Sequence, residues 1–478
     1  MGLNLGYMED KNLGLTGYLG IWAGKILISA TRLTRRGGTT FPGRVSLKIA
    51  PGILAALSQQ TGSGNIIVSG TNGKTSTTAL LTHMVKTAGY TAVSNQAGSN
   101  LSWGIATSLI DASSWRGRLS RRYGVLEIDE GYFPKLAGQL QPLGAVVTNI
   151  FPDQLDRFGE IDTVRQYISR GLSAMPVSAF RVLNADDPYL ASLESGPGAT
   201  WYYGLETLPI QEKQASANRD YTCPRCQNRL NYRQVFLAHQ GHYHCPHCGF
   251  ERPRPQVTLL EYEENADRTA ALKISIEGQS EEICCPLPGI YNVYNVLAAV
   301  TAARSLGLPV DIIKKALLSF PRTGGRLKKV ALMDGRILII GLMKNAVGAG
   351  QALAQALSGQ KTAEDEKISL LIAINDRLAD GRDISWLWNV EFEQLAACRG
   401  LLYPVIVAGS RAWDMAVRLK YAGLNEHQIV VEKNLEAALL AALQATPPRK
   451  NIHALTNYTA QAALNRALDR LKISRAKE

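Results

Sequence analysis

Four cysteines constrain the middle of this chain more than any other feature of the sequence. They form two pairs, Cys223/Cys226 and Cys245/Cys248, with eighteen residues between the pairs. Two thiolates two residues apart on a tight turn reach one ion together, and a second such pair completes a tetrahedral ligand set. The short polar segment between them cannot bury a core, so bound metal would supply its folding energy. We therefore predict a structural zinc ribbon, inserted at about residues 215–255.

Three histidines, His242, His244 and His247, lie close to the second cysteine pair. Four thiolates already satisfy a zinc ion, so we expect these histidines to be solvated or outside the ligand set. A closed four-sulfur site has no open position for catalysis. A nucleic-acid-binding ribbon is the functional alternative, but the flanks lack a dense stripe of basic and aromatic residues.

A glycine loop predicts a second ligand, a nucleoside triphosphate. The β-branched run at residues 65–69 leads into Gly70-Thr71-Asn72-Gly73-Lys74-Thr75, and a helix is expected from Ser76 to Ala88. In such a strand–loop–helix unit the loop amides and the helix N-terminus, here Ser76, face the phosphates. The lysine reaches the terminal phosphates and the Thr75 hydroxyl can ligate magnesium. The loop is a variant, because the strict pattern has glycine where Val68 stands.

Several apolar runs end in acidic residues, as the strands of a parallel sheet do at its carboxyl edge. Glu127 is the penultimate residue of the run at 123–128, and Asp153 follows the run at 144–150. Both carboxylates are therefore candidates for holding metal or water beside the triphosphate. The acidic pair at residues 186–187 is more typical of a helix cap or a turn.

Composition limits the partners and the compartment. Lys and Arg exceed Asp and Glu by twelve, which favours anionic partners such as nucleotides, phosphorylated substrates, nucleic acid or an acidic membrane face. The excess is not concentrated enough to argue for nucleic acid, which we do not expect as a partner. Four of the seven cysteines are explained by metal, which indicates a reducing compartment, so we expect a cytoplasmic protein.

The most apolar N-terminal stretch, residues 13–30, contains several glycines and Lys25 and is too short to cross a bilayer. A clean signal-peptide core and cleavage site are lacking. We interpret the stretch as an amphipathic helix that packs against the body, with peripheral contact at the inner membrane face as the alternative. Residues 31–45, which end in Pro42-Gly43 and Arg-Val, have the composition of a linker.

The length of 478 residues indicates two to four domains. Beyond the ribbon the chain still alternates strands with helices, and residues 321–326 have the composition of a hinge. We predict an α/β fold with a parallel sheet in the central domain. The expected division is an N-terminal helical segment and linker at 1–45, an ATP-binding central domain at 46–320 and an α/β C-terminal domain at 321–478.

Together these motifs resemble the Mur ligase family. The resemblance is carried by the glycine loop, Glu127, the turn at residues 184–188, the helix start at 289–295 and the Gly-Arg hinge. The four-cysteine ribbon and the stretch at 375–386 narrow it to MurT-type synthetase subunits. It covers nearly the whole chain and implies a Mur ligase-like P-loop domain.

The resemblance implies ATP-dependent amidation of the α-carboxylate of D-glutamate in the stem peptide of lipid II, through an acyl phosphate. A separate GatD-type glutaminase subunit would supply ammonia within a heterodimer. ATP, Mg²⁺ and structural Zn²⁺ are implied. The family pattern assigns Lys74 and Glu127 to catalysis, and Thr75 and Glu127 to magnesium. Asn100 matches an asparagine of the active-site rim, and Asn292 matches one on the nucleotide side.

The resemblance also implies that an aspartate of the C-terminal domain completes the glutaminase's Cys-His pair across the interface. Asp380 is the first choice, and Asp376 and Asp383 are alternatives. The structural alternative is that all three aspartates accept hydrogen bonds within a turn and have no role in the glutaminase. The chain departs from the family pattern at Pro152 and Asn389, neither of which is assigned to catalysis.

Three other functions compete with this one: a stand-alone Mur or folylpolyglutamate-type amino-acid ligase, a zinc-ribbon nucleic-acid ATPase, and a scaffold that merely binds nucleotide. The stretch at 375–386 argues against the first. Salt-sensitive nucleic-acid binding would identify the second. An amidation assay with ATP and free ammonium separates all of them.

Overall fold

The computed structural model describes residues 13–33, 40–95, 99–151, 161–193, 196, 198–207, 221–265, 269–321, 327–358, 367–377 and 379–471. Pro152, Asp153, the start of the predicted insertion and most of the predicted hinge lie outside these residues. The chain divides into two compact units, one of residues 1–150 and 161–322 and the other of residues 151–160 and 323–478.

The first unit is built on a large sheet and carries a separate hairpin. Its strands are β1 (Gly64–Ser69), β2 (Ala92–Ser94), β3 (Tyr123–Glu127), β4 (Gly144–Val147), β5 (Phe180–Asn184), β6 (Thr200–Leu205), β7 (Asn231–Leu237), β8 (Gln240–His244), β9 (Val257–Glu264), β10 (Ala270–Ile276) and β11 (Gln279–Cys285). The large sheet has the order β11-β10-β9-β6-β5-β4-β1-β3-β2, and β7 and β8 form a separate two-stranded sheet. Neighbouring strands from β9 across to β2 in this order are parallel. At the other edge, β10 is antiparallel to both β9 and β11.

The neighbours β4, β1 and β3 bring three carboxyl ends together near the β2 edge of the sheet. Helices cover the sheet and connect its strands. They are α1 (Gly14–Leu33), α2 (Phe41–Ile49), α3 (Ile53–Ser58), α4 (Lys74–Thr87), α5 (Ser102–Ala112), α6 (Phe133–Leu140), α7 (Ile161–Ser173), α8 (Pro188–Ala191), α9 (Ile290–Ser305) and α10 (Val310–Leu318). Helix α9 is buried along nearly its whole length and packs against α4.

The N-terminal helices differ in part from the sequence prediction. Helix α1 spans the predicted segment and packs against α2 and α5. The prediction of a linker as far as residue 45 is wrong, because α2 begins at Phe41. Pro42 is well tolerated in a first helical turn. Gly43 allows α2 to approach α5 closely, since a Cβ there would lie 1.9 Å from the Trp103 carbonyl oxygen.

The second unit has its own six-stranded sheet. Its elements are β12 (Leu327–Ala331), β13 (Ile337–Leu342), α11 (Ala346–Ser358), β14 (Ser369–Ala373), α12 (Glu393–Ala397), β15 (Val405–Ala408), α13 (Ala412–Tyr421), β16 (Ile429–Val431), α14 (Leu435–Ala445), β17 (Asn451–Thr456) and α15 (Tyr458–Leu471). The order is β12-β13-β17-β14-β15-β16, and only the β12–β13 pair is antiparallel.

Successive residues of β14 alternate between the two faces of this sheet. Leu370 and Ile372 belong to the apolar cluster formed with α11 and α13, whereas Leu371 and Ala373 belong to the cluster formed with α14 and α15. Helices therefore cover both faces, and the strand is apolar throughout. The predicted α/β class is confirmed. In the described part of the chain, no helix has both the length and the apolar character needed to cross a membrane.

Candidate nucleotide site and metal centre

The glycine loop connects β1 to α4 at the carboxyl edge of the first sheet. Helix α4 begins at Lys74, two residues earlier than predicted, and Gly73 precedes it in the left-handed conformation with φ of 85°. A Cβ on Gly73 would lie 2.1 Å from Asn295 Oδ1, and a Cβ on Gly70 would lie 2.4 Å from Thr148 Oγ1. The loop therefore requires glycine at both positions.

Two residues after β4 brace the loop. The amide of Thr71 donates to the Asn149 carbonyl at 3.0 Å, and the amide of Asn72 donates to Asn149 Oδ1 at 2.9 Å. Thr148 Oγ1 donates to the Asn72 carbonyl at 2.6 Å. These contacts fix part of the loop backbone against the neighbouring strand. The sequence predicted a polar end for this strand but not its contacts with the loop.

Lys74 lies inside the loop and is paired with a carboxylate. Its Nζ donates to the Gly70 carbonyl at 2.5 Å and forms an ion pair with Glu130 Oε2 at 3.1 Å. The two side chains are 7% and 6% exposed. Sequence reasoning gave Glu130 no role. The signal for Glu130 is its position just beyond β3, where the sequence predicts Glu127 as the functional carboxylate.

Glu127 is buried at the end of β3, and its strand register pairs it with Val68 of β1. Asn95 holds its backbone, because the Asn95 side chain accepts from the Glu127 amide and donates to the Glu127 carbonyl, both at 2.8 Å. Asn100 Nδ2 lies 3.5 Å from Glu127 Oε1. The predicted residues Glu127 and Asn100 are thus neighbours, and Glu127 ends the strand that pairs with β1, which leads into the loop.

The two asparagines of α9 differ in their surroundings. Asn292 is half-buried and donates from Nδ2 to the Pro288 carbonyl at 2.7 Å. Asn295 is buried against Gly73, and its Nδ2 has no hydrogen-bond partner among the residues that the structure describes. Thr75 is exposed and Ser76 half-buried in the first turn of α4. The structure thus adds Asn295 to the candidate nucleotide contacts.

The four cysteines of the ribbon converge. Their sulfur atoms all lie within 4.8 Å of one another, with 3.7 Å between Cys223 and Cys248 and 3.5 Å between Cys226 and Cys245. Four thiolates at about 2.3 Å from a tetrahedral zinc ion would be about 3.8 Å apart. The sulfur set therefore fits a zinc ion. His242, His244 and His247, which we expect outside the ligand set, are not part of this cluster.

Cys226 is already disposed toward the thiolate form. Hydrogen bonds from the Asn228 backbone and side chain lower the pKa of Cys226 to about 6. The Asn228 Nδ2 atom lies 3.5 Å from the sulfur. A thiolate is the form that ligates a metal, so this environment suits the predicted role of Cys226.

The ribbon is fastened to the sheet through Asp186, which is fully buried. Its carboxylate accepts from Arg252 Nε at 2.6 Å, from the Tyr294 hydroxyl at 2.8 Å and from the Leu205 amide at 2.8 Å. Burial raises the pKa of Asp186, while the Arg252 guanidinium opposes that rise. One carboxylate thus joins the end of the ribbon, strand β6 and helix α9.

Asp187 makes a second junction beside it. It caps α8 by accepting from the Tyr189 amide at 3.0 Å, as predicted for this acidic pair. It also accepts from the Ile150 amide at 2.8 Å and lies 3.3 Å from His239 Nε2 in the ribbon hairpin. Ile150 directly follows the residues that brace the nucleotide loop. The cap interpretation was therefore correct but incomplete.

In the second unit, Asp380 is buried and both of its carboxylate oxygens are used. One oxygen accepts from the Thr459 amide at 2.8 Å, and the other accepts from the Thr459 hydroxyl. Thr459 lies in the first turn of α15, where a carboxylate is favoured because the amides are unpaired. Asp380 thus stabilises the start of this helix.

The two alternative aspartates are less buried. Asp376 accepts from Ser410 Oγ at 2.6 Å and pairs with Arg411 at 2.9 Å. The Ser410 hydrogen bond and the Arg411 charge lower the pKa of Asp376. Asp383 accepts from the amide and the hydroxyl of Ser385, both at 2.9 Å. All three aspartates therefore make local contacts.

A groove of about 520 Å³ lies beside Asp383. It is lined by Arg382, Asp383, Ile384, Ser385, Leu387, Trp388, Trp413, Asp414 and Val417. Trp388 is 54% exposed and Trp413 is 59% exposed. Large exposed aromatic side chains around a concave surface are typical of protein interfaces.

Two family models match the chain. The model of the Mur ligase middle domain matches residues 68–225, and the model of the MurT ligase C-terminal domain matches residues 342–461. The first match contains the nucleotide loop. The second contains all three aspartates and the groove.

Two relatives align over almost their whole length. The MurT subunit of lipid II isoglutaminyl synthase (glutamine-hydrolyzing) from Streptococcus pneumoniae (strain ATCC BAA-255 / R6) is 34% identical over 460 residues, which cover 96% of this chain and 98% of that protein. The corresponding subunit from Staphylococcus aureus (strain COL) is 32% identical over 446 residues, covering 93% and 96%.

Solved structures of other ligases share the fold. A pseudomurein peptide ligase type C from Methanothermus fervidus matches with a TM-score of 0.65 and 23% identity, over 87% of this chain and 80% of that chain. The MurF ligase from Thermotoga maritima in complex with ADP matches with a TM-score of 0.60 and 14% identity, over 87% and 83%. At these identities the likeness concerns the fold alone.

Proposed function

Because this chain belongs to the MurT family of Mur ligases, we propose that it is the synthetase subunit of a lipid II isoglutaminyl synthase. In this role it amidates the α-carboxylate of D-glutamate in the stem peptide of lipid II at the expense of ATP, and it contributes to peptidoglycan synthesis. Similarity along the full length of two MurT subunits is the observation that carries the proposal.

The chemistry explains why ATP is needed. A carboxylate is a poor electrophile, so its oxygen first attacks the γ-phosphorus of ATP while the bond to ADP breaks. Ammonia then attacks the carbonyl carbon of the acyl phosphate and loses a proton, and phosphate leaves. Both steps depend on holding the reacting atoms in line and on neutralising phosphate charge.

The residues of the loop suit the first step. The backbone of residues 70–76 and the N-terminus of α4 offer amides to the phosphates, and Lys74 offers a cation. Asn100, Asn292 and the buried Asn295 are the side chains proposed to contact the nucleotide. Their support is the placement of Asn295 against the loop and of Asn100 beside Glu127.

Metal ions have two separate roles in this proposal. Thr75 and Glu127 are the residues that would hold Mg²⁺, whose charge would offset that of the phosphate oxygens. Their hard oxygen donors suit that ion. Zn²⁺ in the four-cysteine cluster is structural, because a complete set of sulfur ligands leaves no position for a reactant.

Glutamine use requires a second protein. The relatives are named as subunits of a glutamine-hydrolyzing synthase, and we propose that a GatD-type glutaminase binds the second unit and delivers ammonia. The groove with Trp388 and Trp413 supports docking there. Asp380 remains our first choice for completing the partner's Cys-His pair. Because Thr459 donates hydrogen bonds to both carboxylate oxygens of Asp380, Asp376 and Asp383 should be tested as well.

The names of the relatives include lipid II. A lipid substrate would require the protein to reach a membrane surface. We propose a cytoplasmic protein that meets the inner face of the membrane peripherally. The described helices include none that is suited to crossing it.

The decisive experiment for the synthetase role uses free ammonium and ATP. We expect Lys74→Ala to abolish formation of isoglutamine, measured by mass spectrometry of the stem peptide, because the loop loses its cation. Lys86→Ala, an exposed lysine on the same helix, is the matched control and should retain full activity. Normal activity of Lys74→Ala would remove the loop from the mechanism, and incorporation of an amino acid in place of ammonia would favour a stand-alone ligase.

A second experiment assigns the aspartate. Asp376→Asn, Asp380→Asn and Asp383→Asn are compared in the complex with glutamine or with ammonium as the nitrogen source. The variant of the residue that completes the partner's site should lose glutamine-driven amidation only. Thermal unfolding of each variant separates this effect from loss of the local contacts. Equal loss with both nitrogen sources would contradict the proposed role.

A further inference from the structure

Helix α1 packs against the first unit with its small residues. Gly17, Gly20, Ile21, Gly24 and Ile28 are its buried positions. A Cβ on Gly20 would lie 3.0 Å from the Ala50 Cβ, and a Cβ on Gly24 would lie 2.5 Å from Ser46 Oγ. The glycines therefore bring the helix close to α2. Core packing uses the small side chains of this helix, and only two large apolar ones.

The opposite side of α1 carries most of its large apolar residues. We call this set the α1 face, and it consists of Leu15, Leu19, Trp22, Ile26 and Leu33. Their spacing of three, four and seven residues places them along one side of a helix. Each is between 44% and 85% exposed. An ordinary surface helix has the reverse arrangement, with its large apolar side chains turned inward.

A neighbouring loop extends the α1 face. The Trp22 Nε1 atom donates to the Trp115 carbonyl at 2.9 Å, and Trp115 is itself 54% exposed. Arg116 and Arg118 on either side of Gly117 are exposed as well. The contact of this loop with the helix is close, because a Cβ on Gly117 would lie 2.6 Å from Ile21 Cδ1. Tryptophan and arginine thus border the apolar stripe.

Positive charge is concentrated in the same part of the sequence. Between residues 13 and 122 there are twelve Lys and Arg residues, and Asp111 is the only acidic residue. This stretch of less than a quarter of the chain therefore carries eleven of its twelve net positive charges, one of which, Lys74, is buried in the nucleotide loop. A region with such an excess attracts anionic surfaces.

We propose that the α1 face, together with Trp115, Arg116 and Arg118, docks this protein on an anionic lipid surface. Apolar side chains on one side of a helix would enter the boundary between headgroups and acyl chains, with tryptophan at that boundary and arginine at the phosphates. The inference draws on the proposed function for its purpose, which is access to a lipid-linked acid. It goes further by assigning the contact to named residues.

The observations favour lipid over other anionic partners. Nucleic acid is bound through arrays of basic and polar side chains on the phosphates, whereas the centre of the α1 face is aliphatic. A contiguous exposed apolar stripe on one helix marks a surface that is covered in use. The exposed Arg116 and Arg118 beside it favour an anionic cover over a second copy of this chain, which would repeat the same positive charge.

The test is sedimentation of the full chain with vesicles. We expect binding to vesicles of phosphatidylcholine mixed with phosphatidylglycerol, weak binding to phosphatidylcholine alone, and weakening by salt. Leu15→Glu combined with Ile26→Glu should lower the partition coefficient by roughly tenfold or more, since burial of one leucine side chain contributes a factor of that order. Leu318→Glu, at an equally exposed leucine of α10, should bind like the unmodified protein.

Several outcomes would overturn the proposal. They are failure of the unmodified protein to bind the anionic vesicles, unchanged binding of the Leu15→Glu/Ile26→Glu variant, and an equal loss for Leu318→Glu. Tight binding to a DNA duplex that this variant retains would identify nucleic acid as the partner instead. The Arg116→Glu/Arg118→Glu variant should lose the preference for phosphatidylglycerol.

Vesicle binding is measured without catalysis, so the two proposals can fail separately. Amidation of lipid II dispersed in detergent, with ammonium and ATP, should be unchanged in the Leu15→Glu/Ile26→Glu variant. If that reaction does not occur in the unmodified protein, the proposed function fails and the vesicle result stands. If the reaction occurs but vesicles are not bound, only the docking surface is wrong.

Discussion

Individual atoms set the shape of the nucleotide loop. Gly73 has a left-handed backbone, and a Cβ on this residue would lie 2.1 Å from Asn295 Oδ1, so there are two independent reasons for glycine at this position. The first concerns backbone strain and the second concerns space. They can be separated experimentally, because Gly89 has nearly the same φ, 84°, and a Cβ on it would meet nothing within 4 Å.

We expect Gly73→Ala to weaken ATP binding by well over tenfold. The added methyl group must displace Asn295 or the loop, and the left-handed backbone alone costs about 1–2 kcal/mol for a residue with a Cβ. Isothermal titration with ATP measures the effect. Gly89→Ala, which has the strain without the clash, should lose about 1–2 kcal/mol of stability and keep its ATP affinity. Equal ATP affinities in the two variants would show that Asn295 does not limit the loop.

At the scale of elements, the ribbon and the sheet domain are joined by buried charge. Arg252 reaches Asp186 from the end of the ribbon, and Tyr294 reaches the same carboxylate from α9. Removing one member of a buried ion pair leaves the other charge uncompensated, which typically costs about 3–5 kcal/mol. An exposed pair of the same chemistry contributes about 0–1 kcal/mol.

Arg252→Ala should therefore lower the free energy of unfolding by about 3–5 kcal/mol. Arg304→Ala is the control, since Arg304 pairs with Glu277 at 3.0 Å on the surface, and its loss should cost about 1 kcal/mol or less. Urea denaturation followed by circular dichroism measures both. Similar values for the two arginines would mean that Asp186 finds another partner.

Metal binding should determine whether the ribbon folds. We expect Cys223→Ser to lower the zinc content and the unfolding temperature, because one of the four sulfur ligands is lost. Cys284→Ser, an exposed free cysteine outside the cluster, should change neither. Zinc is measured by elemental analysis and unfolding by calorimetry. A Cys223→Ser protein that retains full zinc and full stability would contradict the four-sulfur assignment.

Local patterns predicted most of the elements, though not α2, and they located part of the candidate site. The glycine loop, the acidic end of β3 and the cysteine spacing each lie within a few consecutive residues, so they could be recognised in the sequence. Glu130 and Asn295 could not be assigned in this way. Lys74 and Glu130 are 56 residues apart, and Asp186 and Tyr294 are 108 apart. Such partners are chosen by the packing of whole strands and helices, which local periodicity does not encode.

At the scale of the whole molecule, the two units present different surfaces to other molecules. The first carries the nucleotide loop, the ribbon and the α1 face. The second carries the groove with two exposed tryptophans. Tryptophans in such positions often contribute about 2 kcal/mol or more, or roughly thirtyfold, to the affinity of a complex.

We expect Trp413→Ala to weaken association with the glutaminase by at least about tenfold. Glutamine-driven amidation should fall in parallel, and ammonium-driven amidation should not change. Trp115→Ala, at a tryptophan of similar exposure in the first unit, is the control and should associate normally. Loss of association in both variants, measured by surface plasmon resonance, would point away from the groove.

The two buried carboxylates beneath the ribbon also limit how this protein could be shortened. A trimmed gene that closes the chain directly across the insertion would remove both His239 and Arg252, yet leave Asp186 and Asp187 inside the sheet domain. Such a miniature would need a neutral residue such as asparagine in place of Asp186, which loses its cation, whereas Asp187 would keep its hydrogen bonds from the Tyr189 and Ile150 amides. The ribbon therefore cannot be deleted by itself. The residues of the sheet domain that contact it must be redesigned first.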